Sequence, residues 1–201
     1  MKNVFRSMIA LAFLLSSCKS FDPAFLNPSG DPFNPKLPAM EAQVENNLVA
    51  IINSSGQTVG ASPQDVQTLW NREAAEIITD AYSDKQGYLL LKVNTIETKG
   101  NFLYPILSGL TLWTINLFGV PTMGGKSTVE VQIDVMDLNR KLIGSYRASA
   151  TKKMHTGMFS KTNYKEFPRV LYLLTVKEAI QEAKKKMQPD LDRLTKQLGK
   201  K

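Results

Sequence analysis

The 201-residue sequence has one cysteine and one histidine. A lone cysteine excludes an internal disulfide, so the fold must hold by packing alone even in an oxidising compartment. A lone histidine, His155, means that a metal site would have to rely on carboxylates, and a His-assisted serine nucleophile on this one side chain. His155 stands among Lys152, Lys153, Met154 and Gly157 with no acid nearby to orient it. It reads as an exposed loop histidine without a catalytic role. Charge is missing too: the 26 residues between Lys99 and Lys126 carry none.

Other candidate chemistry fails on spacing. Met123-Gly124-Gly125-Lys126-Ser127-Thr128 ends like a phosphate-binding loop, but the required glycine five residues before Gly125 is Val120, and Gly119 stands one place too early. A strand pattern follows Ser127 where a helix N-terminus should meet phosphates, so Gly124-Gly125 reads as a turn and no nucleotide is expected. Glu73 and Glu76 read as solvated helix residues or as partners of Arg72. The expectation is a protein that is not an enzyme, with no catalytic residue, metal or cofactor.

What is present begins with Lys2 and Arg6, an apolar run from Met8 to Leu15, and the small residues Ser16 and Ser17. A basic end followed by a short apolar stretch is a secretory signal, and the run is too short for a bilayer, which takes about 20 residues. Leu15-Ser16-Ser17-Cys18 resembles the lipobox of bacterial lipoproteins. The resemblance implies that residues 1–17 are removed, that Cys18 carries the lipid, and that the protein stays on a membrane. By the sorting rule of that family, Lys19 and Ser20 in place of aspartate imply the outer membrane. Two or three acyl chains would hold it firmly.

Without residues 1–17 the charge is unevenly spread: residues 152–201 hold 13 Lys/Arg against 5 Asp/Glu, while residues 18–151 hold 10 against 13. Export excludes nucleic acid as the partner of the basic end. A solvated helix face is the plain reading of Lys184, Lys185 and Lys186, and anionic lipid, lipopolysaccharide phosphates or an acidic protein are the functional ones.

Residues 18–40 contain five prolines and read as an extended tether, although Phe21, Phe25 and Phe33 suggest that part of it lies against the domain. A single α+β domain follows over 41–201. Residues 42–52 fit a strand or a short helix. Ser62-Pro63 opens a helix whose Val66, Leu69, Trp70, Ala74, Ile77, Ile78 and Ala81 form one apolar face, with Trp70 in the core. Tyr88–Ile96 suits a strand. Val129, Val131, Ile133 and Val135 alternate with polar residues, and a turn at 137–140 returns the chain as a partner strand to Thr151. Pro168 starts a second helix, and Pro189 interrupts it or starts a further short helix carrying Leu191, Leu194 and Leu198. The expected fold is a three- to four-stranded, mostly antiparallel sheet packed against two amphipathic helices.

The uncharged stretch 101–125 is then an apolar insert, far longer than one strand of about 5 or 6 residues. Pro105 and Pro121 leave too little between them for a transmembrane helix. Three readings remain open: packing inside the domain, dipping into a membrane interface, or self-association. If the insert is one helix, Leu103, Leu107, Leu110, Trp113 and Leu117 share a face. Leu107, Leu110, Trp113, Leu117 and Phe118 are the candidate membrane or partner contacts. Ser108-Gly109-Leu110-Thr111-Leu112, leading through Pro121 into an alternating strand, resembles Gram-negative envelope lipoproteins, and the element order is similar to the small α+β domain of the curli secretion channel lipoprotein. These resemblances imply an envelope role and no more; the lipid anchor and the want of a catalytic constellation give the expectation of a lipid-anchored, non-enzymatic binding or assembly component partnered by an envelope protein or by itself, with an oligomeric pore or secretion-channel subunit as the alternative.

Overall fold

A computed structural model describes residues 21–47, 63–101, 103–160, 162 and 165–199; Cys18 and the segment 1–17, with its expected role as a secretory signal, lie outside them. The elements are β1 (Met40–Asn47), α1 (Pro63–Arg72, continued by a π-helical turn Glu73–Ile78), β2 (Gly87–Asn101), α2 (Leu103–Leu110), α3 (Thr114–Leu117), β3 (Met123–Asp137), β4 (Leu142–Thr156), α4 (Phe167–Met187) and α5 (Leu191–Leu198). The four strands form one sheet in the order β1-β2-β3-β4. Only the β1–β2 pair is parallel, as a strand–helix–strand connection through α1 requires. The fold is therefore α+β with a mostly antiparallel sheet. The ambiguous segment at 42–52 is a strand as far as Asn47, and its remainder lies outside the described residues.

Alternation puts Leu89, Leu91 and Val93 of β2, Val129, Val131, Ile133 and Val135 of β3, and Tyr146, Ala148 and Ala150 of β4 on one buried face. Both long helices lie on that face: α1 over β1, and α4 over β3 and β4. Trp70 reaches across to β2, where its indole N–H donates to the Leu89 carbonyl at 3.3 Å. α1 ends where Thr79 turns extended and donates its backbone N–H and its hydroxyl to the Ala74 carbonyl, each at 2.9 Å.

The proline-rich segment from Phe21 onward is not a free tether. A 3₁₀ turn at Pro23–Leu26 touches both α1 and α4. Leu26, Phe33 and Leu37 are buried, and Phe33 and Leu37 donate their backbone N–H groups to Ile77 and Ile78 at 2.9 and 3.0 Å. Burying each such side chain is worth about 1.5–3 kcal/mol, so this strap forms a third layer over the helices. It meets the side of α4 that carries Arg169, Gln181 and Lys184, while Leu171 and Tyr172 face the sheet at Gly125 and Thr95.

Candidate functional site

Beyond Asn94, the partner of Asn47, the described part of the sheet consists of three strands that run on to Asn101, Met123 and Thr156. The insert closes this distal end as a cap described over 103–122. Met123, Gly124 and Gly125 belong to β3 and not to the insert or to a turn. Glycine at 124 leaves room for two rings to close over the strand: a Cβ would stand 2.8 Å from the His155 ring and 2.9 Å from the Tyr104 ring. Those two rings meet edge to face at 5.3 Å and fasten α2 to the sheet. His155 is thus an exposed strand residue with an aromatic partner, not a loop residue. Thr122 ties the returning chain to β4 by donating its N–H to the Thr156 carbonyl at 2.8 Å.

A single helix through the insert does not form. The chain turns at Leu112 and Trp113, which take the left-handed values φ 46° and 66°, before α3 begins. Leu103, Leu107, Leu110, Trp113 and Leu117 therefore share no helical face. All five are exposed to solvent, which overturns the reading of the insert as core.

The polarity of the cap is inverted. Ser108 and Asn116 are its buried residues, whereas Leu110, Leu112 and Leu117 face water and Phe118 is 87% exposed. The Ser108 hydroxyl donates to the Tyr104 carbonyl at 2.8 Å and the Asn116 amide to the Val120 carbonyl at 3.0 Å, so the turns are held from within by polar groups. The Asn116 Oδ1 is buried with no partner among the described residues. Met158 and Phe159, in the loop between β4 and α4, add exposed apolar surface next to Gly157, which lies against Pro121. That contribution follows from tertiary placement and was not among the sequence-based candidates.

Directly below the cap, the register aligns Lys99 with Lys126 and Lys126 with Lys153. Cross-strand partners project to the same face about 4.5–5.5 Å apart, so three ammonium-bearing side chains form a row across the sheet. It lies on the face away from the helices, because Gly125, one residue along β3, points at Phe167 and Leu171 of α4. Glu97 pairs with both Lys99 and Lys126. Lys153 stands exposed at the end of the row.

The C-terminal lysines do not form the expected basic surface. Lys184 is buried, its ammonium 2.6 Å from the Glu73 carboxylate and 2.6 Å from the Ser29 carbonyl oxygen. Glu73, expected to be solvated, is equally buried, because the strap covers this stretch of both helices. Lys185 and Lys186 remain exposed, but at the end of α4 remote from the cap: Phe167 packs at Gly125, and a helix of this length carries the chain about 30 Å away. Insert and C-terminal lysines thus do not share a surface.

Among the described residues no group of His, Cys, Asp and Glu is placed to hold a metal ion, and no helix is long and apolar enough to cross a membrane. No protein-family profile matches the chain, nor does any curated protein. Among solved structures the chain is similar to a neuraminyllactose-binding hemagglutinin homolog from Helicobacter pylori, at 12% identity and a TM-score of 0.36, over 86% of this chain and 98% of that one. That likeness is too slight to carry an argument, and the functional reading rests on the residues of this chain.

Proposed function

We propose that this protein is a lipid-anchored component of a bacterial cell envelope, held on a membrane through Cys18, that acts by binding or assembly and not by catalysis. The observation that carries the reading is the cap, a continuous group of exposed leucines and aromatics on a domain whose other apolar side chains are mostly buried. Contiguous apolar surface of this kind marks an interaction site, since in a free monomer it leaves the hydrophobic effect unused. Leu107, Leu110, Trp113, Leu117 and Phe118 are the contacts. The lipobox-like Leu15-Ser16-Ser17-Cys18 supplies the membrane, and Lys19 and Ser20 favour the outer one.

Fractionation of cells producing the wild type and Cys18→Ala tests the anchor. The wild type is expected in the membrane fraction with lipid on its N-terminal peptide, and the variant is expected to be released or left uncut. A normally cleaved variant that stays in the membrane refutes the anchor. Photo-cross-linking from position 117 in intact cells tests the contact surface. Capture of discrete oligomers of this chain there would favour a pore or secretion-channel subunit instead.

A further inference from the structure

We propose that the apolar cap and the lysine row beneath it form a docking end for an anionic lipid bilayer, and that the bilayer is the one holding Cys18; the second clause rests on the lipoprotein reading above. Three independent observations point to that occupant.

The first is composition by position. Leu110, Leu112, Trp113, Leu117, Phe118 and Phe159 offer uncharged apolar surface at the extreme end of the sheet. An indole beside leucines suits the boundary between head groups and acyl chains. The second is the row Lys99–Lys126–Lys153 immediately below. Like charges directly opposite one another destabilise a sheet, and Glu97 offsets only part of this row. A layer of lipid phosphates relieves the repulsion at the depth where head groups would lie. A second copy of this chain does the reverse, since two-fold pairing of this end brings two lysine rows into one interface.

The third observation is where the strap starts. Phe21 lies 3.7 Å from the guanidinium of Arg169, which is in the first turn of α4. Phe167 of the same turn packs on Gly125, two residues from the start of β3, where the cap ends. Cys18 precedes Phe21 by three residues, a length of chain that spans at most about 10 Å. Lipid anchor and cap therefore leave the domain at one end. Docking of the cap is then intramolecular, and a weak contact is amplified by the high effective concentration of the bilayer.

Tryptophan fluorescence reads the result, because the chain has only Trp70, which is buried, and Trp113, which is exposed. The full-length protein, purified from membranes, is reconstituted into vesicles of phosphatidylglycerol and phosphatidylethanolamine containing a brominated lipid quencher. Expected are loss of Trp113 emission, absence of that loss in Trp113→Phe, and weaker quenching in purely zwitterionic vesicles. Replacing Lys126 or Lys153 by Gln is expected to lower the ratio of docked to undocked protein about fivefold each at low salt. Full Trp113 emission on anionic vesicles, quenching indifferent to vesicle charge, or cap-to-cap cross-links between copies in place of quenching would each overturn the proposal. Mass spectrometry of the N-terminal peptide separates the two readings. If that peptide carries no lipid, the anchor reading fails, and quenching of the same protein added to preformed vesicles still decides whether the cap docks.

Discussion

The Lys184 ammonium lies 2.6 Å from the Glu73 carboxylate, and the two side chains keep 5% and none of their solvent exposure. Glu73 also accepts from the backbone N–H and the hydroxyl of Ser29, at 2.8 and 3.2 Å, so one ion pair joins α1, α4 and the strap. Removing one partner strands a buried charge. Lys184→Met is expected to cost about 3–5 kcal/mol, whereas Glu73→Leu combined with Lys184→Met recovers most of that loss. Urea unfolding of the two single variants and the double variant checks this. Equal losses in all three would show that packing of the strap, and not the charge pair, carries the energy.

Asp134 gives the acid dependence a definite sign. Burial pushes its pKa up, but hydrogen bonds from Ser145 and Gln132 and the Lys92 ammonium outweigh burial and leave it below the ordinary aspartate value. Between the folded and unfolded pKa values the unfolded chain binds more protons, so stability rises with pH there. This contribution is present above the unfolded value of about 3.9 and is lost as pH falls through the folded one. Asp134→Asn is expected to be less stable than the wild type at neutral pH, with the gap narrowing at strongly acid pH. Denaturant midpoints measured across that range check it, and a gap that does not change with pH would contradict the assignment.

Much of this architecture was legible in residue order. Val129 to Val135 announced a half-buried strand by strict alternation, and Val66, Leu69, Trp70, Ile77 and Ile78 announced the helix that covers the sheet. What escaped was set by tertiary context. Lys184 reads as one of three adjacent surface lysines, and only the strap, anchored by Leu26, Phe33 and Leu37, makes it internal. Neither pairing in the lysine row follows from residue counting: an irregularity between Val135 and Met136 shifts the β3–β4 register and puts Lys153 rather than Lys152 opposite Lys126, and another between Thr95 and Glu97 shifts the β2–β3 register at Lys99. The apolar insert was visible as a run without charge, but periodicity cannot reveal that Leu112 and Trp113 break the helix.

Gly124 and Gly125 are adjacent, yet they serve opposite faces and their substitutions should separate. A Cβ on Gly125 would meet Leu171 at 3.0 Å, Phe167 at 3.2 Å and the backbone oxygen of Lys99 at 3.3 Å. Gly125→Ala therefore presses α4 off the sheet and is expected to lower global stability by about 1–3 kcal/mol. Gly124→Ala collides only with the rings of His155 and Tyr104, which can swing outward. It is expected to speed proteolytic cleavage within 103–122 while leaving the urea midpoint of the domain nearly unchanged. A global loss in Gly124→Ala as large as in Gly125→Ala would show that the cap is an integral part of the core.

The left-handed pair at Leu112 and Trp113 sets the stability of the free domain against docking of the cap. Leucine at φ 46° crowds its own backbone, at a cost of about 1–2 kcal/mol, and its side chain is 83% exposed, so packing returns little of that cost. Asparagine tolerates the same backbone conformation because its short polar side chain can hydrogen-bond locally. Leu112→Asn is therefore expected to raise the stability of the protein in solution by about 1 kcal/mol. The same change removes apolar area from the surface that meets lipid, so it should weaken quenching of Trp113 by brominated lipid at every salt concentration, unlike the lysine variants, whose effect fades as salt screens the charge. Thermal unfolding and vesicle quenching on one preparation give both numbers. A variant that is less stable in solution would mean that Leu112 packs in the free domain. One that is more stable but quenched as strongly as the wild type would move the contact to Trp113, Leu117 and Phe118.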